Sequence, residues 1–167
     1  PTITFMNTAL LVIDVQQGLC EGEHAAFESP QVIDRINRVS DKARTAGAAV
    51  IFVQHESGPG YLEHDTPAWQ LADGLTVAPT DLRVRKTSPD SFHKTDLHTE
   101  FCIDTTTRRA LALGYPVVLV SDAHTTEGNA GLSPQQVIRH HNETLTNISS
   151  FGPRVTAVST DDLRIGT

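Results

Sequence analysis

The sequence predicts an α/β fold of three layers, α-β-α, around a doubly wound, mostly parallel sheet. Three observations carry that expectation. Short unbroken apolar runs at 8–13, 48–53 and 116–120 read as buried parallel strands, and the first two end in polar residues. Stripes of apolar residues at helical spacing separate them. Gly47 and Gly114 stand just before two of these strands, where helices end.

In chain order, the first strand (TALLVI) ends in Asp14. Ser29 then caps a helix with Pro30 at its first position and Val32, Ile33, Ile36, Val39, Ala43 and Ala46 on its buried face. The second strand (AAVIFV) ends in Gln54 and His55. Segment 55–80 has no sustained period but holds Gly58, Pro59, Gly60, Pro67, Gly74 and Pro79, which marks a functional lid or a disordered loop. Segment 81–86 reads as a short strand flank with solvated bases. A helix over 103–113 follows, with Ile103, Thr107, Ala110 and Leu111 on one face, and then the strand PVVLV ending in Ser121 and Asp122. Ser133, Pro134 and Gln136 form a capping box for a last helix, with Val137, Ile138, His141, Leu145 and Ile148 as its buried stripe. Segment 154–158 is the final strand.

The chain has 167 residues, 38% hydrophobic and 20% charged, which suits one domain over 1–167. Twenty acidic against thirteen basic residues give a net charge of −7, the wrong sign for a nucleic acid or an anionic membrane surface as partner. The early apolar run is too short to span a bilayer and no secretory pattern precedes it, so a cytoplasmic protein is expected. The two cysteines, Cys20 and Cys102, are too few for a disulfide scaffold or a thiolate zinc site.

Cys102 precedes a helical stripe, where amide groups and the helix dipole favour a thiolate. A small buried hydrophobe explains its position equally well. Asp14 lies where strand ends open into a crevice, and desolvation there raises proton affinity; a turn or capping role is the plainer reading. Lys86 taken alone is a surface residue. Together a thiol, a carboxylate and an ammonium supply a nucleophile, a base and a compensating cation. Tyr61, Trp69 and Phe92 are candidates for an apolar pocket wall, or for local loop packing. His124 follows a strand end and is a candidate substrate contact, with capping of the next turn the more economical role.

Four motifs in order resemble the isochorismatase-like cysteine hydrolases from Thr8 to Val158. Leu10-Leu11-Val12-Ile13-Asp14-Val15-Gln16 resembles the first strand with its aspartate. Arg85-Lys86, with Ser91-Phe92 and Thr95-Asp96-Leu97, is similar to the lysine segment. Thr99-Glu100-Phe101-Cys102-Ile103-Asp104-Thr105-Thr106 resembles the nucleophile loop, and Ala112 to Ala123 resembles the strand and Asp-Ala turn after it. The resemblance implies the α/β fold above and an Asp14, Lys86, Cys102 triad that cleaves a small amide-like substrate through a thioester. It also implies an oxyanion site made by the backbone amides of Cys102 and His98, and assembly into a homo-oligomer, a dimer or tetramer. Gln16, in the first motif, joins His98 and the residues named above as a candidate substrate contact. No cofactor is implied.

Two departures from the family pattern carry expectations. Gln54-His55-Glu56 lacks the aspartate with which the nicotinamidase branch begins its metal site, so no metal is expected; His55 and His64 read as polar loop residues. Between Leu97 and Thr99 only His98 intervenes, where the family places a helix and a central strand, roughly 15 to 20 residues. Residues missing from the sequence, a substitute strand drawn from 94–101, or a defective variant each account for this, and the first is preferred. A catalytically silent binding or scaffold domain on the same fold, and vinyl-ether hydrolysis with Asp14 as acid and the thiol a bystander, are the competing functional readings.

Overall fold

The computed structural model describes residues 8–87, 91 and 99–166. Strands β1 (Ala9–Ile13), β2 (Ala49–His55) and β3 (Leu82–Lys86) form one parallel sheet in the order β1-β2-β3. Strands β4 (Val117–Val120) and β5 (Val155–Val158) form a second, also parallel. Helices α1 (Gln17–Cys20) and α2 (Ser29–Thr45) lie between β1 and β2, α3 (Asp104–Ala112) between β3 and β4, and α4 (Pro134–Asn147) between β4 and β5, whereas the long 56–81 crossover from β2 to β3 holds only the short 3-10 turn Pro67–Trp69. The three-layer α/β fold is the one the sequence predicts.

Helix α2 buries Val32, Ile33, Ile36, Val39 and Ala43 against β1 and β2. Phe52 of β2 is fully enclosed in that cluster. Complete burial of such a side chain contributes about 1.5–3 kcal/mol. A second cluster of Leu111, Leu119, Leu145 and Val155 joins α3 and α4 to β4 and β5. Gly47 and Gly114 take φ of 74° and 91°, the left-handed geometry that ends a helix cheaply.

Several expectations are corrected. Ser29 does not cap α2: Glu28 holds that position at φ 52°, and the Ser29 hydroxyl, already inside the helix, donates back to Ala26 O at 2.5 Å. The Ser133 capping box does form, its hydroxyl accepting from Gln136 N and the Gln136 side chain accepting from Ser133 N. On α4 only Val137 and Leu145 are buried, because Ile138 opens onto a surface groove with Gln135, Arg139 and Asn142. A strand over 94–101 does not form as drawn: Thr99–Ile103 is a π-helical turn, and 94–98 lie outside the described residues.

Among the described residues the strands form two sheets rather than one. Among the described residues, β1 is an edge of one sheet and β4 an edge of the other. Thr8, Ala9 and Leu10 share with Val118 and Val120 a cavity of about 60 Å³, which Val39, Ala43 and Leu163 help to line. No strand ladder among the described residues joins β1 to β4; the halves meet through packing and through bonds from α2 and its flank, such as Lys42 Nζ to Thr160 O and Arg35 Nη1 to Asp122 O.

Candidate active site

The polar ends of β1, β2 and β3 converge on the π-helical turn before α3. Asp14 follows β1 at φ 58°, a left-handed conformation that is uncommon for a residue with a Cβ and concentrates at functional sites. Its amide donates to Val53 O at 2.8 Å, and its own carbonyl accepts from Gln16 N at 3.0 Å. Lys86 is the one buried residue of β3, in register with His55 of β2. Its Nζ stands 2.6 Å from Asp14 Oδ2 and 3.2 Å from Cys102 Sγ.

All three side chains are enclosed, Cys102 at 2% exposure. Burial raises the Asp14 carboxyl above its ordinary value, opposed by Lys86 and by a hydrogen bond with Cys102. Burial also pushes the Cys102 thiol up to about 12, with the Asp14 charge adding to the shift and Lys86 opposing it. This corrects the expectation of a readily ionised sulfur: desolvation outweighs the favourable cation in this closed arrangement.

Leu19, Leu62 and Cys102 make one buried apolar cluster, flanked by Ile13, Cys20 and Ala68. Burial likewise pushes the Cys20 thiol up to about 11. The approach is close: a Cβ on Gly18 would lie 2.9 Å from Ala68 Cβ and 3.0 Å from Leu62 Cδ2, so glycine is required at this point of α1.

The other candidates divide. Gln16 is fully buried, and its amide is consumed by backbone: Nε2 donates to His55 O (3.0 Å) and Trp69 O (2.7 Å), and Oε1 accepts from His55 N (2.7 Å). It fastens the strand ends, with its amide bound to the backbone of His55 and Trp69. His124 is likewise held by neighbouring side chains. Asn142 donates through Nδ2 to Ser121 O and so turns Oδ1 to His124 Nε2 at 3.0 Å, while Nδ1 faces Thr99 Oγ1 at 3.2 Å. Burial lowers the His124 pKa and favours that neutral ring. Trp69 is buried and meets the His64 ring edge-on at 4.6 Å. Tyr61 is 54% exposed. Phe92 and His98 lie outside the described residues.

His55, expected to be a polar loop residue, is instead the buried end of β2, in register with Lys86. Among the described residues no group of three or more His, Cys, Asp or Glu side chains is gathered to hold a metal ion. Nor is any helix there long and apolar enough to cross a membrane.

A buried thiol, carboxylate and ammonium at the ends of parallel strands place the chain in a class of α/β proteins suited to acyl chemistry. The Isochorismatase domain family matches residues 8–99. A streptothricin hydrolase of Streptomyces noursei is 38% identical over 136 residues, covering 71% of this chain and 49% of its own length. A solved isochorismatase family protein is 33% identical with a TM-score of 0.77, over 90% of this chain and 97% of its own. An isochorismatase from Pseudomonas putida KT2440, 22% identical, shares the fold at a TM-score of 0.82 over 98% and 93%. The chain belongs to the isochorismatase family of hydrolases, the isochorismatase-like cysteine hydrolases.

The chain spans about half the length of the streptothricin hydrolase it matches. That match runs over 136 positions while drawing on 71% of 167 residues, about 119, so about 17 positions of the relative have no counterpart here. The family match ends at Thr99, beside the junction where the sequence predicts a shortfall of this size.

Proposed function

We propose that this chain is a metal-independent cysteine hydrolase that cleaves a small amide or related C–N bond. The observation that carries the reading is Lys86 Nζ, placed within reach of both Asp14 Oδ2 and Cys102 Sγ. Asp14 takes the thiol proton, and Cys102 Sγ attacks the carbonyl carbon to give a tetrahedral oxyanion. The C–N bond then breaks, the amine leaves with the proton held by Asp14, and a thioester remains. Asp14 next takes a proton from water, which attacks the thioester and releases the acid and the free thiol.

Burial suits Asp14 to this exchange, because a carboxyl whose proton affinity is raised takes the thiol proton more readily than an exposed one. Lys86 compensates the carboxylate and then the thiolate as the proton passes between them. The Cys102 backbone amide is the proposed oxyanion donor, with that of His98; loss of one such donor costs about a hundredfold or more in rate. The likeness to a streptothricin hydrolase supports hydrolysis of a small molecule. We also read the chain as a cytoplasmic homo-oligomer.

Release of acid and amine from a panel of small amides, measured for the native chain and Cys102→Ala, tests this reading. Turnover lost in a variant that melts like the native protein supports it. Turnover retained overturns it in favour of a bystander thiol. The split sheet favours a second reading, a silent binding domain; it predicts no hydrolysis by either protein and equal binding of small amides by both.

A further inference from the structure

A nucleophile at 2% exposure cannot meet a substrate until something uncovers it. The elements around Cys102 differ in how firmly they are held. Helix α1 is fastened through Gln17 N to Gln70 O and through Ala26 N to Leu19 O. The turn carrying Ala68 is fastened through Trp69 O, which accepts from both Gln16 and Gln54. Leu62 is different. It is fully buried at the end of an irregular loop whose residues Gly58, Pro59, Gly60 and Tyr61 are all exposed.

The hydrogen bonds of that loop close on themselves: Ser57 N donates to Leu62 O at 3.1 Å, and Leu62 N donates to Ser57 Oγ at 2.9 Å. Just before it the chain is anchored, with Glu56 N donating to Lys86 O at 2.7 Å and the Glu56 carboxylate paired with Arg85. Segment 57–62 can therefore lift as a closed unit without breaking a ladder bond, losing chiefly the burial of Leu62. Its seat is Gly18, where any larger residue would collide with Leu62 Cδ2.

We infer that Leu62 is the gate of the Cys102 site and sets the size of the group it admits: the 57–62 loop swings off Gly18, and the substrate's apolar portion beside the scissile carbonyl takes the space Leu62 vacates. This rests on the reading of Cys102 as nucleophile. It is tested by thiol chemistry, which needs no substrate. The full chain is treated with iodoacetamide and, separately, with the bulkier N-ethylmaleimide, and Cys102 and Cys20 modification is followed by peptide mass mapping. Leu62→Ala should raise the Cys102 rate about tenfold and narrow the preference for the smaller reagent, since the burial that holds the loop shut is largely removed. Leu62→Phe should slow it, and Leu62→Met should leave it near the native rate.

Native Cys102 provides a second measure. Opening of a six-residue loop exposes little surface, so its alkylation rate should be nearly flat in low urea. Rates in Leu62→Ala and Leu62→Phe within about twofold of native, or a native rate that rises with urea as steeply as global unfolding, would overturn the gate. Failure of the nucleophile reading is separate: it shows as hydrolysis surviving in Cys102→Ala, whatever the alkylation rates.

Discussion

Gln16 and His55 exchange two hydrogen bonds across the ends of β1 and β2, the Gln16 side chain accepting from His55 N at 2.7 Å and donating to His55 O at 3.0 Å. Gln16 is two residues from Asp14, and His55 is in register with Lys86. The clamp thus fixes the spacing of the carboxylate and the ammonium. Buried groups left unsatisfied cost about 1–3 kcal/mol each. Gln16→Ala should lower stability in urea by about 2–3 kcal/mol. Gln16→Glu should lower it at least as much, because an ionised carboxylate offers no donor to the carbonyls of His55 and Trp69. Both should reduce turnover under conditions where they are fully folded, since the 2.6 Å Asp14–Lys86 contact loses its frame.

Asp81 anchors the entry to β3 from the other end. Its side chain accepts from Arg44 Nε (3.1 Å), Arg44 Nη2 (2.7 Å) and Ala78 N (2.7 Å), and the paired guanidinium holds its carboxyl below the ordinary value of 3.8. A depressed native pKa means stability that is present above the unfolded pKa and lost as pH falls through the folded one. Asp81→Asn should therefore cost about 1–2 kcal/mol at pH 7, as Arg44 loses one carboxylate partner and keeps Asp41. The difference from the native chain should shrink below pH 4, as measured by urea unfolding across a pH series.

At the alkaline end the sign reverses. The Cys102 thiol ionises near 9.0 when exposed and is pushed up to about 12 in the fold, so above pH 9 the unfolded chain sheds a proton that the native chain keeps. Stability falls with rising pH across that window. Cys102→Ala should flatten the decline between pH 9 and 11, and part of what remains belongs to Cys20, whose thiol is pushed up to about 11. A decline identical in the variant would contradict the buried neutral thiol.

The grouping of Asp14, Lys86 and Cys102 is legible because each sits immediately after or within an element that local patterns mark: Asp14 ends an apolar run, Lys86 ends a short strand, and Cys102 opens a helical stripe. Sequence proximity reports such strand ends well. Gln16, Thr99 and Asn142 were not legible in their actual roles, because side-chain bonds to partners 18 to 53 positions away leave no local trace. Leu62 was hidden for a related reason. A single leucine among glycines and prolines has no period, and its burial depends on Gly18, more than forty residues earlier, offering no side chain. The thiol's direction of shift was misjudged because a helix start suggests a dipole while enclosure by Leu19 and Leu62 is a tertiary fact.

The cavity between β1 and β4 gives the most direct handle on the split in the sheet. Its wall is mostly apolar, with Leu10, Val39, Ala43, Val118, Val120 and Leu163, while Thr8 and Arg164 also border it, so a larger apolar side chain from β4 extends into its apolar part. Val118→Ile adds one methylene to a β-branched strand residue and fits within about 60 Å³. It should raise stability by about 0.5–1 kcal/mol. Val118→Ala should lower it by about 1–3 kcal/mol, since it enlarges a void that is already present. Val118→Thr keeps the shape and adds a hydroxyl with no designed partner, so it should fall below the native chain. Urea midpoints for the three variants at constant slope test the sequence Ile above native above Thr and Ala. An isoleucine variant less stable than native would mean that β1 and β4 are already in close contact and that the space between them is not available to be filled.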